Sequence, residues 1–158
     1  MRQILETIRT FDGVVELAPG PGSGAPELAW GDHFFYYSYC SNPSDGQVPQ
    51  REQPYATAVT KDYPGDTLSR LDEPGRWRLN VHVGRSRFVE LVGEDPRDES
   101  VGWDLAADDV VLPHPVYRAQ GWVSIVNPGE RTSVLAVELA RAAHEDARRR
   151  WVRTRVGP

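Results

Sequence analysis

His114 stands in the setting that best suits proton transfer or ligand binding in this 158-residue sequence. Its neighbours Pro113 and Pro115 fix their own φ at about −65° and disfavour helical geometry before them, so the imidazole sits on a stiff, extended backbone. Histidine titrates nearest physiological pH, and Tyr117, three residues on, could share its hydrogen bonds. The alternative is structural: His114 ties the loop to a backbone carbonyl and Tyr117 fills a gap. His114 and Tyr117 are the candidate catalytic pair.

A polar trio on a predicted strand is the second candidate feature. Residues 76–83 alternate in polarity, which puts Arg78, Asn80 and His82 on one face and apolar residues on the other. Such a trio could hold a carboxylate or carbonyl group through charge-assisted hydrogen bonds. The alternative is the solvated outer face of a one-sided antiparallel sheet. If His114 lies over this face, the binding interpretation is favoured.

Lys61 and the aromatic residues are weaker ligand-binding candidates. Lys61 could act with Asp62, but a lysine is activated only when it is desolvated or lies beside another cation, so a surface pair at a strand end is the alternative. The aromatic residues could line a pocket for a flat ligand or simply fill the core. They are Trp30, Phe34, Phe35, Tyr36, Tyr37, Tyr39 and Trp122. Of these, Tyr36 and Trp122 are included in the predicted ligand site.

Composition and motifs disfavour several classes of function. The net charge of −5 disfavours nucleic acid and anionic membranes as partners. The four histidines lack the close spacing of zinc motifs, and no P-loop, dinucleotide glycine fingerprint or Gly-x-Ser-x-Gly elbow occurs. We therefore expect neither a metal nor a cofactor. A single cysteine, Cys40, and the lack of a long apolar run predict a cytoplasmic protein.

The chain length predicts one domain over residues 1–158, and the hydrophobic patterns predict both helices and strands in it. Helices are expected at 2–11, 84–92 and 131–151, and strands at 14–17, 32–39, 55–61, 76–83 and 122–126. Surface loops are expected at 18–31, 41–53 and 94–111. The acidic part of the last loop, 94–109, could be exposed or could fold over the site as a lid.

Three segments together resemble an uncharacterised bacterial family, the domain of unknown function numbered 6194. They are Pro54–Asp62, Arg78–Val83, and Pro113–Tyr117 with Trp122–Pro128. The resemblance covers residues 54–150 and is poor over 18–53. More distantly, the chain is similar to the MmcQ/YjbR-like superfamily. That similarity implies an α+β fold of the double-wing type. In such a fold the N-terminal and long C-terminal helices pack on one face of an antiparallel sheet. No activity comes with the family.

The residues favour a cytosolic protein that binds a small organic molecule in an aromatic-lined pocket. If it is an enzyme, cofactor-free acid–base chemistry such as isomerisation, cyclisation or hydrolysis suits these side chains. An alternative is a non-catalytic module that binds protein or nucleic acid through the arginine-rich end of the last helix. A homodimer that buries the aromatic strand 32–39 between chains is a third interpretation.

Overall fold

The computed structural model describes residues 1–38, 53–99 and 102–155. The helices are α1 (Arg2–Ile8), α2 (Gly84–Val92) and α3 (Ser133–Arg155). The strands are β1 (Val14–Leu17), β2 (His33–Tyr37), β3 (Ala56–Val59), β4 (Arg78–His82), β5 (Val111–Pro113) and β6 (Trp122–Val126). Short 3₁₀ turns cover Glu27–Ala29 and Arg118–Gln120. The fold is therefore α+β, as predicted.

All six strands form one sheet in the order β1-β2-β3-β4-β6-β5, and every neighbouring pair is antiparallel. The register places Thr57 opposite Asn80, and Asn80 opposite Ser124. Because side chains at opposed positions share a face, this row of polar residues crosses three strands on one side of the sheet.

The helices cover the other side of the sheet, which we call the back face. Its apolar side chains form one buried cluster with residues of α1, α2 and α3. The sheet contributes Phe35, Ala56, Ala58, Leu79, Val81, Val123 and Ile125 to this cluster. The expected packing of the first and last helices on one face is thus confirmed, and α2 joins them there.

Several predicted boundaries differ from the structure. α1 ends at Ile8 rather than 11, β2 covers His33–Tyr37 rather than 32–39, and β4 covers Arg78–His82 rather than 76–83. β3 covers Ala56–Val59 of the expected strand 55–61, although the Tyr55 backbone also bonds Phe35 and His82. The expected helix 131–151 runs from Ser133 to Arg155. Its start is set by a residue distant in sequence: Oδ1 of Asp109 accepts hydrogen bonds from the backbone N–H groups of Gly129 and Thr132. A strand missed by the sequence analysis, β5, starts at Val111 inside the predicted loop 94–111.

The described residues of the acidic segment 94–109 pack against the rest of the domain, and their role as a lid stays a prediction. Trp103 packs against the main core, and the Arg118 guanidinium donates to the backbone oxygens of Asp95 and Pro96. The predicted loop 41–53 lies almost wholly outside the described residues. No helix in the described part of the chain has the length and apolarity needed to cross a bilayer.

Candidate functional site

A cavity of about 1280 Å³ opens on the face of the sheet opposite the helices, and we call it the front cavity. The sheet supplies Phe34 and Tyr36 from β2, Thr57 and Val59 from β3, Arg78, Asn80 and His82 from β4, and Trp122 from β6. Its rim includes Arg150 and Trp151 near the end of α3. The face predicted to be either polar and solvated or ligand-binding is therefore the wall of a cavity.

Arg78 is the centre of a buried polar network on this wall, with only 2% of its surface exposed. Its Nη1 and Nη2 donate to the two carboxylate oxygens of Asp66 at 2.9 and 2.5 Å. Nη1 also donates to Ser69 Oγ, and Nε donates to Asn80 Oδ1, both at 2.8 Å. A guanidinium this deeply buried needs such a set of partners, because an unpaired buried charge is strongly destabilising.

Asn80 extends this network along the sheet. Its Nδ2 donates to Thr57 Oγ1 at 2.9 Å, so the amide bridges Arg78 on its own strand and Thr57 on β3. Asn80 is 2% exposed. The solvated-face interpretation is therefore wrong for Arg78 and Asn80, which are both buried. Asp66, Ser69 and His114 contact the Arg78 guanidinium from outside β4.

His114 lies over the same face, 3% exposed, with Nε2 3.5 Å from Arg78 Nη2. Its Nδ1 accepts two backbone N–H hydrogen bonds, from Val116 and Tyr117, each 3.0 Å long. Burial and the neighbouring Arg78 charge lower the pKa of His114 to about 3, although Asp66 opposes this. The ring is therefore neutral at physiological pH and is braced by its own loop.

Tyr117, the other half of the predicted catalytic pair, is largely exposed. Half of its surface, 52%, is accessible to solvent, and its ring lies 5.0 Å from the His114 ring. Its backbone N–H braces His114, whereas its hydroxyl makes no hydrogen bond to the described residues. Tyr117 and His114 both line the front cavity. Their catalytic role stays a prediction.

His82 and Trp122 continue a row of rings along the cavity wall. The Trp122 ring lies 5.6 Å from His82 and 6.4 Å from His114. His82 Nε2 lies 3.0 Å from the Gln120 carbonyl oxygen, and because a carbonyl only accepts, Nε2 carries the proton. Burial, followed by the Arg150 charge, lowers the pKa of His82. The neutral ring keeps Nδ1 as an acceptor.

Of the two remaining predicted site residues, one lines the cavity. Tyr36 lies on its wall, and burial raises the pKa of its hydroxyl. Lys61 is not among the described residues of the cavity lining. Its ammonium donates to the Trp30 carbonyl oxygen and lies 3.6 Å from the buried Asp32. The expected pairing of Lys61 with Asp62 is wrong.

Asp32, Asp66 and Tyr63 support the site and were missed in the sequence. Asp32 is fully buried and accepts hydrogen bonds from Thr60 and from the Tyr63 hydroxyl, the latter at 2.5 Å. Burial would raise the pKa of Asp66, but the hydrogen bonds and charge of Arg78 hold it below its usual value. Pro64 and Gly65 are typical turn residues, and a turn gives no indication of a carboxylate that pairs with a buried arginine. A lone arginine on an otherwise buried strand was the available signal for a carboxylate partner.

No three His, Cys, Asp or Glu side chains within residues 1–38, 53–99 and 102–155 are placed to hold a metal ion together. The polar groups that line the front cavity include the Arg78 and Arg150 guanidiniums, the His82 and His114 imidazoles, the Asn80 amide and the Asp66 carboxylate. Such groups can recognise the polar atoms of an organic molecule through hydrogen bonds.

Fold and cavity together define an α+β protein with a helix-covered antiparallel sheet and a buried polar site on the opposite face. The chain belongs to a family of unknown function, DUF6194, whose sequence model matches residues 1–156. This match extends through residues 18–53, where the resemblance looked poor. No curated protein and no solved structure matches the chain significantly.

Proposed function

We propose that this protein binds a small organic molecule in the front cavity. The observation that carries the proposal is the burial of Arg78, Asn80 and His114 in the wall of a cavity of about 1280 Å³. Protein pockets for small molecules combine apolar and aromatic walls with a few convergent polar groups, and they span about 300–1,000 Å³. The front cavity has this composition and is at least that large.

Acid–base catalysis is the second level of the proposal, and His82 suits it better than His114. A general base needs a free lone pair, and Nδ1 of His114 already accepts two backbone hydrogen bonds. Nδ1 of His82 is an acceptor with no hydrogen bond to the described residues, and its ring lines the cavity. A cofactor-free isomerase, cyclase or hydrolase would therefore use His82 to move the proton.

A thermal-shift screen against a metabolite library tests the binding proposal. A ligand at a hundredfold excess over its Kd stabilises the folded protein by about 2.7 kcal/mol. We expect some compound to stabilise the wild type but not Trp122→Ala or His82→Asn. The matched control is His33→Asn, because His33 pairs with Glu16 outside the cavity lining. The proposal would be contradicted if no compound in the library stabilised the wild type more than it stabilised Trp122→Ala and His82→Asn.

The alternative, a protein or nucleic-acid interaction module built on the end of α3, has less support. Arg148 and Arg149 each pair with an acid three residues earlier, Glu145 and Asp146, so part of the basic run is locally neutralised. Binding that falls steeply with salt and is lost when Arg148, Arg149 and Arg150 become alanine would favour the module instead.

The finer sequence predictions stay predictions: an MmcQ/YjbR-like type of fold, a bacterial origin and a cytoplasmic location. The homodimer also stays a prediction, although β2 lies between β1 and β3 with Phe35, Tyr36 and Tyr37 buried within one chain. Sedimentation at two protein concentrations tests it.

A further inference from the structure

We infer that the front cavity recognises an uncharged carbonyl group, whose oxygen accepts hydrogen bonds from His114 Nε2–H and Arg78 Nη2–H together. This inference rests on the proposed small-molecule binding and names the chemical class of the ligand. It gives His114 the role of a neutral hydrogen-bond donor, not of the acid or base that its isolated sequence context favours.

The hydrogen bonds of the His114 ring decide which nitrogen carries the proton. Backbone N–H groups can only donate, so Nδ1, which accepts two of them at 3.0 Å, must hold a lone pair. In a neutral imidazole the proton then lies on Nε2. Among the described residues, the polar atom within hydrogen-bond distance of Nε2 is Arg78 Nη2, 3.5 Å away, which is also only a donor. Two donors therefore face one another in a buried site.

The hydrogens of the Arg78 guanidinium are otherwise accounted for. The Nε hydrogen goes to Asn80, the two Nη1 hydrogens go to Asp66 and Ser69, and one Nη2 hydrogen goes to Asp66. The second Nη2 hydrogen has no acceptor among the described residues. Because a buried donor without an acceptor costs free energy, this hydrogen and His114 Nε2–H define a place for one shared acceptor atom.

Charge balance favours a neutral acceptor over an anion. The Arg78 cation is already matched by Asp66, in a bidentate pair whose side chains are 2% and 13% exposed. A carboxylate would add a second negative charge to this buried cluster, and burying an uncompensated charge is costly. A carbonyl oxygen accepts both hydrogen bonds and leaves the cluster neutral. The Trp122 and Tyr117 rings beside His114 suit a flat group attached to that carbonyl.

The first test needs no ligand. Long-range proton–nitrogen NMR spectra of the ¹⁵N-labelled protein at neutral pH report the protonation of each histidine nitrogen. We expect His114 to show a protonated Nε2 and an unprotonated Nδ1. A protonated Nδ1, or a ring protonated at both nitrogens, would overturn the inference, because the ring would then present an acceptor or a cation to the cavity.

The second test uses three probes of similar shape: acetophenone, α-methylstyrene, in which CH₂ replaces the carbonyl oxygen, and benzoate. We expect acetophenone to shift the His114 Nε2–H resonance and to bind about tenfold more tightly than either other probe. In His114→Asn, the Asn Oδ1 can replace Nδ1 as acceptor for the loop while the Nε2–H donor is lost. There the preference over α-methylstyrene should fall to about threefold or less.

Each contrary result is distinct. Equal affinities for acetophenone and α-methylstyrene, tightest binding of benzoate at His114, or no shift of the His114 resonance with any probe would each overturn the carbonyl inference. α-Methylstyrene bound in the cavity without preference for acetophenone would leave the proposed function standing. A different result would contradict the proposed function: a metabolite screen in which no compound stabilises the wild type more than it stabilises the cavity variants Trp122→Ala and His82→Asn. The wild-type measurements stand even if His114→Asn does not fold.

Discussion

Each face of the central sheet buries a histidine, and the two histidines have different roles. On the back face, His144 lies between the rings of Phe11, Tyr37 and Tyr55, and its Nε2 donates to the Asp12 backbone oxygen at 2.8 Å. It joins α3 to the turn after α1. On the front face, His114 is held by its own loop and turns Nε2 towards a guanidinium in a cavity. Burial lowers the pKa of both rings, so burial and pKa alone do not identify a functional histidine.

The two histidines differ in the surroundings of the ring nitrogen that makes no hydrogen bond to the backbone. In the back-face cluster the partner of Nε2 is a carbonyl of the chain, and Nδ1 is enclosed in the core with no hydrogen bond to the described residues. In the front cavity the chain satisfies Nδ1, and Nε2 faces the Arg78 guanidinium. The predictions below test whether the back face serves stability while the front face serves recognition.

Removing Arg78 should produce the largest effect. Arg78→Met leaves Asp66 buried without its partner, so the free energy of unfolding should fall by about 3–5 kcal/mol. Urea denaturation measures this loss. Arg87→Met, which removes an exposed pair with Glu90, is the control and should change stability by less than about 1 kcal/mol. The double variant Arg78→Met with Asp66→Asn should recover part of the loss; no recovery would contradict the view that the unpaired carboxylate is the cause.

His144→Ala should cost more stability than His114→Asn. The first substitution opens a gap among three aromatic rings and should lower the free energy of unfolding by about 2–4 kcal/mol. The second keeps an acceptor for the loop and should cost about 1 kcal/mol. Ligand affinity should also be measured on both folded variants. We expect only His114→Asn to weaken binding. Equal stability losses with equal affinities would erase the distinction between the two faces.

Stability should fall as the pH drops from about 6.5, the unfolded-state pKa of histidine, towards 4.5. His82, His114 and His144 have folded-state pKa values below that of the unfolded chain, so the unfolded state binds more protons in this window. Each such group contributes a slope of at most about 1.4 kcal/mol per pH unit. Urea titrations at several pH values should show a shallower slope for His114→Asn than for wild type. An unchanged slope would mean that His114 titrates normally in the folded state.

The smallest effect should come from Thr57→Val. This change removes the hydroxyl that accepts the Asn80 Nδ2 hydrogen bond while it keeps the side-chain volume. We expect a loss of about 1 kcal/mol in unfolding free energy, because one buried donor loses its partner. Thr7→Val on α1 is the matched control, since its hydroxyl bonds only the exposed Gln3 carbonyl. A larger effect from Thr7→Val would argue against a buried network on the front face.

The back face was predictable from the sequence because it depends on local pattern. Leu79 and Val81 alternate with polar residues on β4, and Phe88 and Val92 share one side of α2, so period and polarity were enough to place them in the core. His144 was not distinguished from surface residues, because one polar residue within a helical stripe does not disturb the pattern.

The sequence analysis identified the residues of the front site on β4 and in the loop 114–117, but it could not show that they lie together. Arg78 and His114 are 36 residues apart in sequence, and the contact between them depends on the pairing of β6 with both β4 and β5. Asp66, which pairs with the Arg78 guanidinium, lies in a turn 12 residues earlier, and the local pattern there gives no sign of that pairing. Lys61 was included for its chemistry, yet the structure directs its ammonium to Trp30 and Asp32.

The sequence by itself determined most of the helices and strands, the apolar face of the sheet and the stiff presentation of His114 between two prolines, because backbone geometry and hydrophobic period act over a few residues. Only the tertiary structure decided that the polar face of β4 is buried, that Asp66 neutralises Arg78, and that His114 offers Nε2–H as a donor. These properties depend on groups brought together from distant parts of the chain, and desolvation and hydrogen bonding arise only after that assembly.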